Sequence, residues 1–256
     1  MNSLSVVLAV YNEEDNLSNC LNSIKDLADE IVIVDGGSKD KTLDIAKGFD
    51  AKIIQTTNPQ IFHINKNKAI DAASGDWILQ LDADEVVTKA LSKEIKQIIS
   101  KDSENIGFWI PRKNFFLNRF LTKGGQYPDY TLRLYKKGKG RLPGIDVHEQ
   151  AVVNGKVGFL KQDLLHLRDK TFSNYFQRLN RYTDLFSRQL KTQRVKLSPL
   201  SAVSFVLIKP FFWFLKSYIR HRGYVDGFPG FVFALFSSLR FPIAYFKLIN
   251  DRLIKE

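Results

Sequence analysis

The sequence predicts an α/β fold, a mostly parallel sheet flanked by helices, followed by a C-terminal region of amphipathic helices. Three observations carry that prediction. Apolar runs of strand length alternate with helical spacings through the N-terminal part; three of those runs end in polar or acidic residues; and beyond residue 195 the chain turns basic and dense in aromatics.

Leu4–Val10 reads as a buried strand that ends in Tyr11-Asn12-Glu13-Glu14, and Leu17, Leu21 and Ile24 behind it recur at helical spacing. Residues 31 to 34 form a second apolar strand, closing on Asp35-Gly36-Gly37-Ser38-Lys39-Asp40-Lys41-Thr42 before a helix that carries Leu43, Ile45 and Ala46. The glycines there let backbone approach a ligand closely. Lys52–Gln55 is a third strand, and residues 65 to 73 form a short helix that turns at Ser74-Gly75-Asp76 into the strand opening at Trp77. Strands that alternate with helices pair in parallel, and ligands of such sheets bind beyond the carboxyl ends of the strands. Tyr11, Asp35 and Asp82 all fall at such ends.

The strand from Trp77 runs into Asp82-Ala83-Asp84-Glu85. Side chains alternate faces at period two, so an extended chain sends Asp82 and Asp84 the same way. Mg2+ and Mn2+ are held by one or two protein carboxylates, with water and phosphate oxygens completing the shell, so a short Asp-x-Asp suffices against a diphosphate. The alternative for such a pair is a solvated loop after a strand.

Composition suits a folded enzyme, with 256 residues of which 44% are hydrophobic. Cys20 is the only cysteine, which excludes an intrachain disulfide and a Cys-His zinc site, and it shares the apolar side of the first helix with Leu17 and Leu21. The N-terminus lacks the basic and long apolar regions of a signal peptide, so the catalytic part is expected in the cytoplasm. Net charge is +11, unevenly spread: residues 191 to 256 hold 11 Lys or Arg against 3 Asp or Glu, and 14 of the 32 aromatic residues. Basic and aromatic residues together suit an anionic membrane surface. Lys209, Pro210 and Lys216 interrupt one apolar stretch, and Arg240 and Pro242 the other, which favours helices lying in the interface or dipping into it over clean spans. A basic lid packed on the enzyme is the alternative. Residues 171 to 190 carry Phe172, Tyr175, Phe176, Leu179, Tyr182, Leu185 and Phe186 at helical spacings, one long amphipathic helix. The expected division is a catalytic domain over 1–195 and a membrane-associating tail over 196–256.

A basic, aromatic-rich chain is also the footprint of a nucleic-acid binder. The acidic strand-end crevice, and a basic excess placed in the most apolar region rather than on exposed loops, argue against nucleic acid as a partner. A sugar-nucleotide pyrophosphorylase would carry a Gly-rich, Arg-bearing loop where this chain has Tyr11-Asn12-Glu13-Glu14.

Val10-Tyr11-Asn12-Glu13, Asp35-Gly36-Gly37-Ser38-x-Asp40-x-Thr42 and Asp82-Ala83-Asp84-Glu85, in that order and spacing, resemble family 2 glycosyltransferases of the GT-A fold. Within that family the chain most resembles the bacterial lipopolysaccharide core glycosyltransferases of the WaaE type, the beta-1,4-glucosyltransferase group. Asn67-Lys68-Ala69, the stretch 124 to 129, Arg133-Leu134-Tyr135, Val147-His148-Glu149 and Phe228-Pro229-Gly230-Phe231 extend the likeness over most of the chain. The resemblance implies a GT-A-type, Rossmann-like sheet and an inverting, metal-dependent transfer of a sugar, glucose from UDP-glucose, to a lipid-linked saccharide such as the lipopolysaccharide core. A polyprenyl-phosphate acceptor is the alternative. It implies a nucleotide-sugar donor site at Tyr11, Glu13, Asp35, Asn67, Lys68, Asp82 and Arg133. Asp84 and Asp82 would meet Mg2+ or Mn2+, with His166 as a third ligand. It puts the general base among the acceptor-side carboxylates: Glu149, or Asp129 behind a Gly-Gly loop that could reach over the sugar, while Asp146 and Asp129 can equally be turn residues. Arg133 meets phosphate or pairs with a carboxylate. The enzyme would work at the cytoplasmic face of the inner membrane, as a peripheral or monotopic protein.

Overall fold

A computed structural model of the chain describes residues 2–254 except 60, 102 and 144–149. The chain forms two compact units, one of Met1–Arg112 with Asp129–Leu167, the other of Lys113–Pro128 with Arg168–Glu256.

The first unit is built on β1 (Leu4–Val10), β2 (Glu30–Asp35), β3 (Lys52–Gln55) and β4 (Trp77–Leu81), linked through helices α1 (Leu17–Ile24), α2 (Thr42–Lys47) and α3 (His63–Ala72). These four strands are parallel, in the order β3-β2-β1-β4. β1 is apolar on both faces because it lies mid-sheet under helices, and Leu4, Val6, Val7 and Leu8 are all buried. α1 buries Leu17, Cys20, Leu21 and Ile24, the i, i+3, i+4, i+7 stripe, so Cys20 packs in the core. Each such side chain contributes about 1.5–3 kcal/mol of transfer free energy. Gly75 lets the turn into β4 lie against β1: a Cβ there would sit 2.7 Å from Ser5 Oγ and 2.8 Å from Ser5 N.

After β4 come β5 (Glu85–Val87), α4 (Lys89–Ile99), β6 (Gly107–Phe116), β7 (Arg119–Phe120), β8 (Asp129–Lys136), β9 (Gly140–Arg141), β10 (Val152–Val153), β11 (Val157–Phe159) and β12 (Leu164–Asp169). The sheet continues β4-β8-β6-β12-β5, with β8 antiparallel to both β4 and β6 and β12 antiparallel to β5. It is therefore mixed: β1 to β4 are parallel, β8 runs antiparallel beside them, and β11 adds to β6 in parallel. Parallel neighbours need a crossover of a dozen or more residues, whereas β6 returns as β8 without an intervening helix.

In the second unit, α5 (Phe172–Thr192) starts at Thr171, whose side chain accepts from Asn174 N at 3.2 Å. It buries Tyr175, Leu179, Thr183, Ser187 and Leu190. A helix over Pro199–Arg220, π-helical at Ser204–Ile208 and Lys216–Arg220, precedes a turn at Gly223–Asp226 and the helices Gly227–Ser238 and Arg240–Leu253. By length and composition, Pro199–Arg220 and Gly223–Leu253 could each cross a membrane. Buried Asp226 accepts from Thr122 N at 2.9 Å and Lys123 N at 2.8 Å, fixing the 122–124 loop on that turn. Gly230 permits a closer approach still, since a Cβ there would lie 2.0 Å from Gly223 O. α5 and the 113–128 excursion fall with the C-terminal helices, and α5 packs its buried stripe within that unit.

Candidate active site

Register brings three strand ends together. Val10 pairs with Asp35 and Leu8 with Leu81, so Tyr11, Gly36 and Asp82 leave the same edge of the sheet. β1 sits between β2 and β4, the point where strand order reverses, and sheets of this kind take their ligands beyond the carboxyl ends at such a point.

The first two loops are tied to each other by hydrogen bonds. Asn12 N donates to Ser38 Oγ at 2.9 Å, Lys39 N to Asn12 Oδ1 at 2.9 Å, and Glu13 N to Thr42 Oγ1 at 2.7 Å. Asp35 is fully buried, and its carboxylate accepts from Gly37 N at 2.9 Å and Ser38 N at 3.0 Å, so it shapes the glycine loop. Glu13 accepts from Asn16 Nδ2 at 3.0 Å. Tyr11 keeps 40% of its surface exposed at the rim.

The third loop carries the dense electrostatics. The period-two alternation that would send Asp82 and Asp84 the same way ends at Leu81, because Glu85 N bonds Asp82 O at 3.0 Å and closes a turn. Asp82 Oδ2 accepts from Arg133 Nη2 at 2.5 Å, and Asp82 Oδ1 pairs with Lys66 Nζ. Arg133 on β8 also donates to Glu85 Oε1 at 2.8 Å. Arg112 reaches the same Glu85 oxygen at 3.4 Å and donates through Nε and Nη2 to Asp129 Oδ2 at 3.0 and 2.7 Å. Glu85 is 0% exposed, Lys66 4% and Arg133 7%, so these charges are held out of water by mutual pairing. Burial pushes the Asp82 carboxyl up, but Arg133 and Lys66 outweigh it and hold it well below the usual carboxylate range. Burial lowers the Lys66 ammonium, and Arg133 adds to that against the pull of Asp82. Cys20 lies beneath the turn, its Sγ 3.6 Å from Asp82 O, with its thiol raised by burial and then by Glu85, Asp84 and Asp82.

Asp84 takes a different partner: its Oδ2 lies 3.3 Å from His166 Nε2, and Leu167 N donates to Asp84 O at 2.8 Å. That spacing is close to the roughly 3 Å between adjacent ligands of an ion held at about 2.1 Å, so this carboxylate and imidazole fit a divalent cation as two of its ligands. Asp82 does not join them. Among the described residues no group of three or more His, Cys, Asp or Glu side chains converges.

Of the other anticipated residues, Asn67 clamps the backbone of Leu142, donating to its O at 2.9 Å, and Lys68 donates to Thr56 Oγ1 at 2.8 Å. Both line a cavity of about 720 Å3 with Ile64, Asp71, Arg141 and Leu142, away from the Asp82 network. Asp129 opens β8 and is engaged by Arg112. Glu149, with Asp146 and His148, lies outside the described residues. Lys66, Arg112 and Glu85 went unassigned in the sequence reading. For Lys66 a signal existed: it stands three, four and seven residues before Ala69, Ile70 and Ala73, the buried stripe of α3.

Residues 5–154 match the family described as Glycosyl transferase family 2. An uncharacterized glycosyltransferase of Rickettsia felis is 27% identical over 254 residues, covering 94% of this chain and 88% of that protein. The lipopolysaccharide core biosynthesis glycosyltransferase LpsC of Rhizobium meliloti is 28% identical over 242 residues, 91% of this chain and 86% of that protein. The mannosyltransferase PcManGT of Pyrobaculum calidifontis, solved with GDP-Man and Mn2+, superposes with a TM-score of 0.53 at 14% identity, covering 100% of this chain and 81% of that one. With a mixed sheet whose strand ends carry the three quoted motifs and a family match over more than half its length, the chain belongs to glycosyl transferase family 2 and is a glycosyltransferase.

Proposed function

We propose that this glycosyltransferase is inverting and metal-dependent, moves glucose from UDP-glucose onto a lipid-linked saccharide such as the lipopolysaccharide core, and works at the cytoplasmic face of the inner membrane. The observation that carries the donor side is the Asp84–His166 pair beside the Asp82–Arg133–Lys66 network at the end of β4. The name of the Rhizobium meliloti relative supports the acceptor class, and the GDP-Man and Mn2+ of the Pyrobaculum calidifontis enzyme support a nucleotide-sugar donor with a divalent ion.

Asp84 and His166 would hold the Mg2+ or Mn2+, and the bound ion supplies charge neutralisation for the departing diphosphate. A nitrogen in the donor set favours Mn2+ over Mg2+, which takes oxygen ligands. Asp82, kept ionised by Arg133 and Lys66, acts as a fixed acceptor for ribose hydroxyls. Tyr11 offers an exposed ring to the base, and Asp35 orders the glycine loop beside it. Glu149 is assigned as the general base that takes the acceptor proton as the hydroxyl attacks the anomeric carbon from the face opposite the diphosphate. Asp129 stands second, since Arg112 already engages it. A single displacement inverts the centre through an oxocarbenium-like transition state and needs no covalent intermediate.

Residues 1–195 are assigned the chemistry and 196–256 the membrane association. The support is a stripe that water covers poorly: Leu200, Leu207, Phe211 and Phe212 are 79%, 63%, 59% and 65% exposed. A surface-held enzyme meets a lipid-borne acceptor at raised local concentration. The test incubates the purified full chain and Mn2+ with a panel of nucleotide sugars, with and without membrane extract, and measures nucleotide release. UDP release from UDP-glucose that depends on extract is expected; release indifferent to extract for every donor defeats the lipid acceptor, and release from another donor alone defeats glucose. Stimulation by polyprenyl phosphate in place of extract would move the acceptor to the carrier lipid.

A further inference from the structure

We propose that Trp213, Lys216 and Arg240 form a binding site for the phosphate group of an anionic membrane lipid, one whose charge no headgroup cation offsets. The proposal rests on the membrane association argued above and gives it a defined contact. The Arg240 guanidinium lies over the Trp213 ring, 3.9 Å from its centroid, and over Phe241 at 4.8 Å; the Lys216 ammonium lies 5.3 Å from the same Trp213 centroid. One indole thus gathers two cations and holds them within about 9 Å of each other. Trp213 is itself fixed, donating through Nε1 to Ser237 Oγ at 3.2 Å.

Among the described residues no Asp or Glu forms an ion pair with Arg240 or Lys216, while Arg178, Lys247, Arg141 and Arg133 all have carboxylate partners. Asp169 at the end of β12 and Asp184 of α5 are taken by Arg178 and Lys247, and Asp226 holds the 122–123 backbone. No nitrogen of Arg240 donates a hydrogen bond among the described residues, and its Nε is buried without an acceptor. A planar guanidinium with five donors, stacked and unpaired, matches phosphate oxygens, and a second cation on the same ring adds a point charge for them. Two like charges without a carboxylate partner beside one ring favour an anion nearby. Exposed Phe211 and Phe212 immediately precede Trp213 in sequence, the setting of a lipid headgroup above its acyl region.

The experiment measures flotation of the full-length protein with vesicles of neutral phosphatidylcholine, and with the same vesicles carrying phosphatidic acid. Arg240→Gln with Lys216→Gln is expected to weaken binding to the anionic vesicles about 25-fold, from roughly fivefold per cation, and to leave binding to neutral vesicles unchanged. The charge-conserving Arg240→Lys separates a site from diffuse attraction: loss of binding by several-fold supports the stacked fork, and full retention overturns it. Lys101→Gln with Lys137→Gln removes equal charge from the first unit and should change nothing; a loss equal to that of the R240Q/K216Q pair overturns the site. Displacement by inorganic phosphate at constant ionic strength would assign the site to a soluble anion and overturn the lipid. If the wild-type chain floats with neither vesicle, the membrane reading itself fails; if all variants float alike, that reading stands and this site falls.

Discussion

Replacing Arg133 by methionine probes the network that organises the third loop. Arg133 holds Asp82 at 2.5 Å and Glu85 at 2.8 Å, and Glu85 is fully buried. Removing one partner of a buried pair costs about 3–5 kcal/mol, because the charge left behind keeps its desolvation penalty. Here the orphans are partly rescued: Asp82 retains Lys66 and 30% exposure of its side chain, and Glu85 retains Asp82 N at 2.9 Å and Arg112 at 3.4 Å. The low end, about 3 kcal/mol, is therefore expected, a fall in melting temperature of roughly 6–12 °C for a chain of this size. The pH dependence has a sign. Asp82 is depressed in the folded chain, so its pairing stabilises above the unfolded carboxyl range and is lost as pH falls through the folded value. Without Arg133, Asp82 protonates earlier on acidification, and the gap between variant and wild type should narrow below the ordinary carboxylate range near about pH 4. Urea unfolding followed by circular dichroism, from pH 7 downward, measures this. A double variant with Glu85→Leu should recover part of the loss, since an apolar pair of similar volume carries no orphan charge. A variant within about 1 kcal/mol of wild type at pH 7, or a gap indifferent to acid, would refute the argument that this network is a buried, mutually compensated unit.

Lys66→Met should destabilise by about 3 kcal/mol while Lys68→Met, whose lysine is exposed, changes stability by less than about 0.5 kcal/mol, in the same unfolding assay. Asp84→Ala should abolish the rise in UDP affinity caused by Mn2+, read by calorimetry with and without the ion, and His166→Ala should raise the Mn2+ requirement about tenfold. Glu149→Gln should lower kcat about 10²–10⁴-fold with donor KM little changed; an unaltered kcat moves the base to Asp129, which the same substitution there would test. Gly230→Ala places a Cβ 2.0 Å from Gly223 O and should cost about 1–3 kcal/mol, seen as a lowered melting temperature.

The strands that position the site were legible because burial on both faces leaves uninterrupted apolar runs, as in β1 and β2, and because their polar ends are abrupt. The 171–190 helix was legible from its stripe, and Thr171 supplies the cap. What pattern could not carry was pairing at a distance. Arg112 and Arg133 stand on neighbouring antiparallel strands, and only the β6–β8 register, with Arg112 opposite Asp129, brings them to Glu85. Period two misplaced Asp82 relative to Asp84 because a turn begins one residue after the strand, and alternation describes extended backbone only. Asn67 and Lys68 drew notice through their likeness to a family segment, yet on α3 they lie one and two residues past the buried face, so Lys66 meets Asp82 and they do not.

The balance of charge in the network bears on the metal. Lys66, Arg112 and Arg133 are matched by Asp82, Glu85 and Asp129, and Asp84 stands beyond that count with His166. A diphosphate entering the crevice would find cations already committed, and at about 5 Å from Asp84 each full negative charge would be opposed by roughly 3 kcal/mol at an effective dielectric of about 20. If, as proposed, a divalent ion binds at Asp84, it would reverse that sign, so nucleotide and ion would each tighten the other's binding by the same factor, and roughly 3 kcal/mol corresponds to more than a hundredfold. The Asp84→Ala comparison reads that factor directly: nucleotide affinity that is ion-independent in the wild type would mean the cations of this network are not spent on Asp82, Glu85 and Asp129 when donor is bound.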